Sequence, residues 1–495
     1  MILKRKSGIL LHPTSLPSPD GIGDLGPDCF RWIDFLAESG CKLWQILPLG
    51  PTGYGDSPYQ CFSAFAGNPY LISPTLLLDQ NLLTRDDLSD RPDFPLNHID
   101  YGTAIAWKIK ILNRAYNHFV KSKSVKLRQE YLDFCEREVD WLMDFALFMA
   151  IKESLGGGSW DNWPEQLRRR DPDALTMFIA HNEDAVERHK FRQFIFFKQW
   201  SNVKRYASQK GIEIIGDIPI FISFDSADAW SHPELFYLGK DGKPTVVAGV
   251  PPDYFSPTGQ LWGNPLYKWS EHKKQGYEWW IKRFKAVFNI VDTVRLDHFR
   301  GFAGYWEIPA NMPTAEIGRW VKGPGGDFLK AIQKAFNGLP IIAEDLGVIT
   351  PDVVKLRDTF NLPGMKILQF AFSSTPEDPF LPHNYPVNCV AYTGTHDNDT
   401  TWGWYKSAPE SEKDFCRRYL ARSGEDIVWD MIRAIWGSTA AYTLATLQDF
   451  LNLDSEARMN FPGRPTGNWS WRFKPGDLSE SLCNRIKELN YLYSR

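Results

Sequence analysis

Apolar residues along the chain concentrate in short runs rich in Ile, Leu and Val, bounded by Gly, Pro or Asn. Runs that are apolar at successive positions predict strands covered on both faces, as in a parallel sheet. Eight are predicted: Gly8–His12, Leu43–Leu49, Ile212–Ile220, Thr293–His298, Pro340–Leu346, Met365–Phe370, Cys389–Thr393 and Tyr442–Leu447. Between many of them the apolar spacing changes to a helical period. A helix is predicted from Pro27, a residue suited to a first helical turn, with Phe30, Ile33, Leu36 and Ala37 on one face. Another is predicted over Phe194–Gln209, stopped by Gly211, and a long helical pattern covers Tyr131–Lys152. Eight strands alternating with helices predict an α/β fold, a (β/α)8 TIM barrel.

The spacing between strands is uneven. Residues 51–210 separate the second and third strands and are expected to form a mainly helical insertion. Residues 222–292 separate the third and fourth. They include GVPPDYFSPTGQLWGNPLY at 249–267, which reads as a loop-rich insertion carrying a lid. Without both segments, roughly 260 residues of the 495 remain, close to the roughly 250 of a plain barrel. A single barrel spanning 1–495 with two insertions is therefore expected.

Composition narrows the function. With 56 Lys+Arg against 60 Asp+Glu, the net charge of −4 gives no general attraction to nucleic acid or to an anionic membrane. The apolar run after the basic N-terminus is too short for a signal peptide. No stretch reaches the roughly 18 apolar residues of a membrane span, and the nearest, Trp141–Ile151, is interrupted by Asp144. The seven cysteines are dispersed, with no C-x-x-C pair, which suits a reducing, cytoplasmic setting. Aromatic residues are the surplus: 20 Trp, 32 Phe and 19 Tyr.

Gly21-Ile-Gly-Asp-Leu-Gly26 matches a dinucleotide-binding pattern. It stands too far from its strand, behind SLPSPD, and no acidic partner follows the next strand, so a tight turn leading into the first helix is the better reading.

The predicted strand ends carry the chemistry. They bring Asp217 (GDIPI), Arg295 and Asp297 (RLDHFRG), Glu344 and Asp345 (AEDLG), and His396 and Asp397 (THDND) to one rim. Carboxylates crowded into one mouth repel each other, which one of them relieves by holding a proton near neutral pH. An acid beside an ionised partner suits glycosidic bond cleavage: one carboxylate attacks the anomeric carbon while the other protonates the leaving oxygen. Arg295, two residues before Asp297 and on the same strand face, would keep Asp297 ionised. Glu344 has no such neighbour and is the better acid. His12, His298 and His396 also fall at strand ends, but without metal-ligand spacing. No metal and no cofactor is expected.

Several long motifs then stand in a telling order: SGILLHPTSLPSPDGIGDLG, QILPLGPTGYGDSPYQCFSAFAGNPYLI, GIEIIGDIPIF, PPDYFSPTGQLWGNPLY, VRLDHFRGF, IIAEDLG, GMKILQFAF, YTGTHDNDT and RMNFPGRPTGNWSWRF. Across nearly its whole length the chain resembles the 4-α-glucanotransferases (amylomaltase or disproportionating enzyme) of glycoside hydrolase family 77. The resemblance implies a retaining transferase whose partners are maltooligosaccharides and α-1,4-glucans such as starch and glycogen. It implies Asp297 as nucleophile, Glu344 as general acid/base and Asp397 as a third carboxylate gripping sugar hydroxyls. Arg295, His298, His396, Asp217, Tyr59 and Ser57 would contact substrate, with Tyr54 as a secondary glucan contact. Gln260 and Trp262 would lie over the acceptor side. A plain α-glucan hydrolase with the same carboxylates, and a non-catalytic glycan-binding barrel, are the competing readings. The aromatic surplus is expected to line a sugar path through Trp44, Tyr54, Tyr59, Tyr254, Trp262, Trp402 and Trp404.

Overall fold

The computed structural model describes residues 4–252 and 256–495. Among the described residues, twelve strands form two sheets: β1 Lys6–Leu10, β2 Leu43–Gln45, β3 Glu213–Ile218, β4 Val246–Val250, β5 Gln260–Pro265, β6 Thr293–Leu296, β7 Gly304–Pro309, β8 Arg319–Lys322, β9 Ile341–Ala343, β10 Gly364–Ile367, β11 Cys389–Tyr392 and β12 Tyr442–Thr446. Eight of them pair in parallel in the order β10-β11-β12-β1-β2-β3-β6-β9. The Ala343 N–H donates to the Pro363 carbonyl at 2.9 Å, joining β9 to the start of β10 and drawing the sheet toward closure. These are the eight strands that the apolar runs predict, and the chain is a (β/α)8 barrel.

Both faces of these strands are buried, which is why the runs do not alternate with polar residues. Leu43, Ile215, Ile342, Met365, Ile367, Val390, Tyr392 and Leu444 pack inside the barrel. Neighbours one position away, such as Trp44, Ile214 and Ile341, belong to the outer core under the helices. Gly8 meets the neighbouring strand so closely that a Cβ there would lie 2.2 Å from the Leu43 carbonyl oxygen. The Tyr392 hydroxyl donates to Gln45 Oε1 at 2.8 Å across the interior.

Helix Pro27–Glu38 begins at its proline and buries Trp32, Ile33 and Leu36. The pattern over Tyr131–Lys152 resolves into two helices, Val125–Arg137 and Leu142–Ser154. The predicted Phe194–Gln209 segment is the end of a helix spanning Pro172–Gln209, with non-helical backbone at Asn182 and Gly211 at φ +73° just beyond it. Gly21–Gly26 is a packed turn: Asp24 accepts from the Gly26 N–H and pairs with the buried Lys108. A Cβ at Gly23 would lie 2.1 Å from the Pro13 carbonyl, which leaves no space for a phosphate against that backbone.

Residues 222–292 contain more than loop. β4 and β5 join β7 and β8, which follow the fourth barrel strand, in an antiparallel sheet ordered β5-β4-β7-β8. The Gly and Pro residues that read as loop include Gly249 and Pro265, which lie inside strands of this sheet and are paired in register. No helix among the described residues is long and apolar enough to cross a membrane. All seven cysteines are free thiols.

Candidate active site

The parallel register assembles the site before any loop does. Asp217 on β3 is the Cα partner of Arg295 on β6. Two residues on, past the end of β6, Asp297 faces the same way as Arg295. The Arg295 guanidinium therefore lies between two carboxylates. It donates from Nε to Asp217 Oδ2 at 2.9 Å and from NH2 to Asp297 Oδ1 at 2.7 Å. Tyr59 completes the group: its hydroxyl donates to Asp217 Oδ2 at 2.8 Å and lies 2.8 Å from His396 Nε2. Having spent its one proton on Asp217, the hydroxyl accepts from His396, which assigns the Nε2–H tautomer to that ring. The two rings stack at 5.4 Å.

Glu344 follows β9, next to β6. One carboxyl oxygen accepts from the His298 N–H at 2.8 Å and the other from the Leu346 N–H at 3.1 Å. Burial, and then the charge of Asp297, push its pKa up to about 8. Burial also raises Asp297, but the Arg295 guanidinium at 2.7 Å pulls it back toward the ionised form. Between the two carboxyls the proton therefore belongs on Glu344. Burial pushes Asp217 up to about 7 against the opposing charge of Arg295. Burial holds His298 and His396 down at about 4, so both are neutral imidazoles at neutral pH.

Asp397 lies past the end of β11. It accepts from Asn460 Nδ2 at 2.6 Å through Oδ1, and its Oδ2 is 3.3 Å from His396 Nε2. The Arg458 guanidinium donates to the Asp397 carbonyl at 2.7 Å. His298 adopts φ +49°, in the left-handed region where a side chain is strained, as residues at functional sites often are.

Asp297, His298 and Asp397 open onto a cleft of about 750 Å³ that Tyr54, Ser57, Tyr59 and Trp262 also line. Trp262 on β5 meets the His298 ring edge-on at 4.9 Å and donates from Nε1 to Gln260 Oε1 at 3.1 Å. Tyr54 is 91% exposed at the cleft lip. The Ser57 hydroxyl accepts from the Tyr59 N–H. Asp217, Arg295 and His396 are buried beneath the cleft floor. Asp345, next to Glu344, is occupied elsewhere. It accepts from the Met365 N–H and pairs with Arg357, tying β9 to β10.

The expected sugar path changes. Trp44 is wholly buried in the core, and Trp402 and Trp404, partly buried against the same core, do not line the cleft. Tyr254 lies outside the described residues. Segment 460–469 supplies what the strand-end reasoning missed: Asn460, Phe461, Arg464 and Trp469 all line the cleft. Trp469, at φ +64°, packs against Tyr59 and His396 at 5.8 and 6.0 Å. The quoted motif RMNFPGRPTGNWSWRF contains them, but it ends no strand, and no pairing rule assigns its residues to the cleft.

The sequence model of glycoside hydrolase family 77, described as 4-alpha-glucanotransferase, matches residues 11–479. The chain is 51% identical to the 4-alpha-glucanotransferase of Thermus thermophilus over 99% of both chains. It is 50% identical to that of Synechocystis sp. over 100% of this chain and 99% of the relative. Among solved structures, amylomaltase from Streptococcus agalactiae in complex with acarbose superposes with a TM-score of 0.97 at 40% identity, over 99% of this chain and 100% of that one. The chain belongs to the 4-alpha-glucanotransferases of glycoside hydrolase family 77.

Proposed function

We propose that the protein transfers a segment of an α-1,4-glucan to the 4-hydroxyl of an acceptor glucose or glucan by a retaining double displacement. Asp297 attacks the anomeric carbon while Glu344 delivers its proton to the departing oxygen. Glu344, now ionised, then takes the proton of the incoming hydroxyl as that oxygen displaces Asp297. Asp397 receives hydroxyls of the distorted sugar on the cleft side. Asp217, Tyr59 and His396 act from below, holding Arg295 against Asp297. The observation that carries this reading is the different setting of two carboxyls that follow adjacent strands, Asp297 hydrogen-bonded to the Arg295 guanidinium at 2.7 Å and Glu344 held by backbone N–H groups. On this mechanism the two carboxyls work about 5–5.5 Å apart. The uncharged cleft rings suit a neutral polymer, and the acceptor is expected to enter beside Trp262, Gln260 and Tyr54.

Incubation with maltotriose tests the activity. The expected products are glucose together with chains longer than the substrate. Products that are all shorter than maltotriose would leave a hydrolase. The lid makes a second prediction. Trp262 covers the His298 side of the cleft, where it keeps water from the covalent intermediate. Trp262→Ala is therefore expected to raise the fraction of turnovers ending in water by about three-fold or more. The ratio of new reducing ends to glucose released reads it, and an unchanged ratio counts against the lid.

A further inference from the structure

The two backbone N–H groups that hold Glu344 come from different segments, and one side chain joins those segments. His298 lies in the turn after β6, and Leu346 lies in the loop after β9. Arg300, two residues beyond His298, donates from NH1 to the Val348 carbonyl at 2.7 Å, two residues beyond Leu346. Between Leu346 and Val348 stands Gly347 at φ +80°, a conformation that leaves the loop a soft point at which it can swing. Backbone pairing between the two segments stops at Glu344, whose N–H donates to the Leu296 carbonyl at 3.2 Å and whose carbonyl accepts from the Phe299 N–H at 3.1 Å; residues 345–349 make no backbone bond to the turn. The bond to Val348 thus holds the far side of the loop that presents the Leu346 N–H.

Arg300 is itself fixed by an unusual neighbour. Its guanidinium lies 4.0 Å from the ring centre of Trp320 on β8, a close cation–π stack. Trp320 is 46% exposed, and its in-register partner is Trp306, which meets it edge-on at 5.4 Å. An exposed tryptophan on an edge strand has little to do in a core. Here it clamps an arginine whose Nε is buried without a partner, so that the stack and the Val348 bond hold the group in place. The same four-stranded sheet carries Trp262 at its opposite edge, over His298.

We infer that Arg300, held by Trp320, is a positioning residue for the acid/base Glu344, locking the turn after β6 to the loop after β9. The inference rests on Glu344 as the acid/base. A carboxyl shifted by about 1 Å transfers its proton poorly while the substrate still binds. Arg300→Met is expected to lower kcat for maltotriose disproportionation by on the order of 10-fold, with donor KM within about two-fold. Trp320→Ala lowers kcat in the same direction, and Trp320→Phe, which keeps a ring for the stack, restores most of the loss. The double variant Arg300→Met/Trp320→Ala is no worse than Arg300→Met, because the two residues act as one unit.

The discriminating readout is dependence on the leaving group. An α-maltosyl fluoride donor departs without needing a proton, so the initial burst of fluoride is spared in Arg300→Met while maltotriose turnover falls. A burst lost as severely as maltotriose turnover, a rise in KM with kcat intact, or multiplying effects of the two substitutions would overturn the clamp. If Glu344→Gln also fails to spare the fluoride burst, the acid/base reading falls rather than the clamp. Should Arg300→Met not fold, Trp320→Ala on the edge strand carries the same measurements.

Discussion

Asp297→Asn is expected to abolish disproportionation, with kcat reduced by on the order of 10⁴-fold or more, as when a covalent nucleophile is removed elsewhere. The neutral amide keeps the shape and leaves Arg295 its bond to Asp217 at 2.9 Å, so the variant folds and its thermal midpoint stays near that of the parent. The loss is therefore chemical. Intact-protein mass spectrometry checks the role directly. Glu344→Gln treated with an α-maltosyl fluoride donor loads through Asp297 and, lacking its base, gains the mass of the glycosyl group. The double variant Asp297→Asn/Glu344→Gln gains none. Retention of more than about a tenth of the parent rate by Asp297→Asn would assign the nucleophile elsewhere.

Glu344→Gln is the second large effect, and it has two signs. Turnover on maltotriose falls, because an amide donates no proton to the leaving oxygen. In the parent, kcat/KM falls on the basic side as Glu344 loses its proton near pH 8, and that limb disappears in the variant. Stability moves the other way. The folded-state pKa of Glu344 lies above its ordinary value of 4.5, so between about 4.5 and about 8 the native state holds more protons than the unfolded chain. Stability contributed by the protonated group is therefore fully present below about pH 4.5 and is lost as pH rises through about 8. Glutamine, always neutral, escapes that loss. Glu344→Gln should melt higher than the parent at pH 9 and close to it at pH 4, measured by scanning calorimetry. A variant that melts lower at both values would remove the buried-acid account of Glu344.

The barrel was legible for a physical reason. Strands covered on both faces must be apolar at successive positions, and Leu43-Trp44 or Ile214-Ile215 show this directly, one residue of each pair inside the barrel and one outside. The rim followed, since carboxylates placed just after such runs have one place to go. The antiparallel sheet was not legible. Its strands carry Gly249 and Pro265 where turn residues normally stand, and β4 finds its partner β7 only beyond the whole of barrel strand β6. Trp44 misled for the opposite reason. It is the second residue of the predicted strand Leu43–Leu49, at the end away from the rim, and it points outward among the helices.

The amino-acid order alone therefore determined the barrel, the carboxylates on its rim and, through long ordered motifs, the family. Those features depend on local periodicity and on residues that lie on or immediately after strands. Tertiary structure decided the rest: how far burial shifts each carboxyl, which groups lie under the cleft floor, and which distant segments close over it. Proton bias depends on burial and on charges brought near by the register of β3 against β6, as Asp217, Arg295 and Asp297 show. Contacts such as Asn460 to Asp397, 63 positions apart, or Tyr59 to His396, 337 apart, have no signature in spacing, because only the folded chain makes them neighbours.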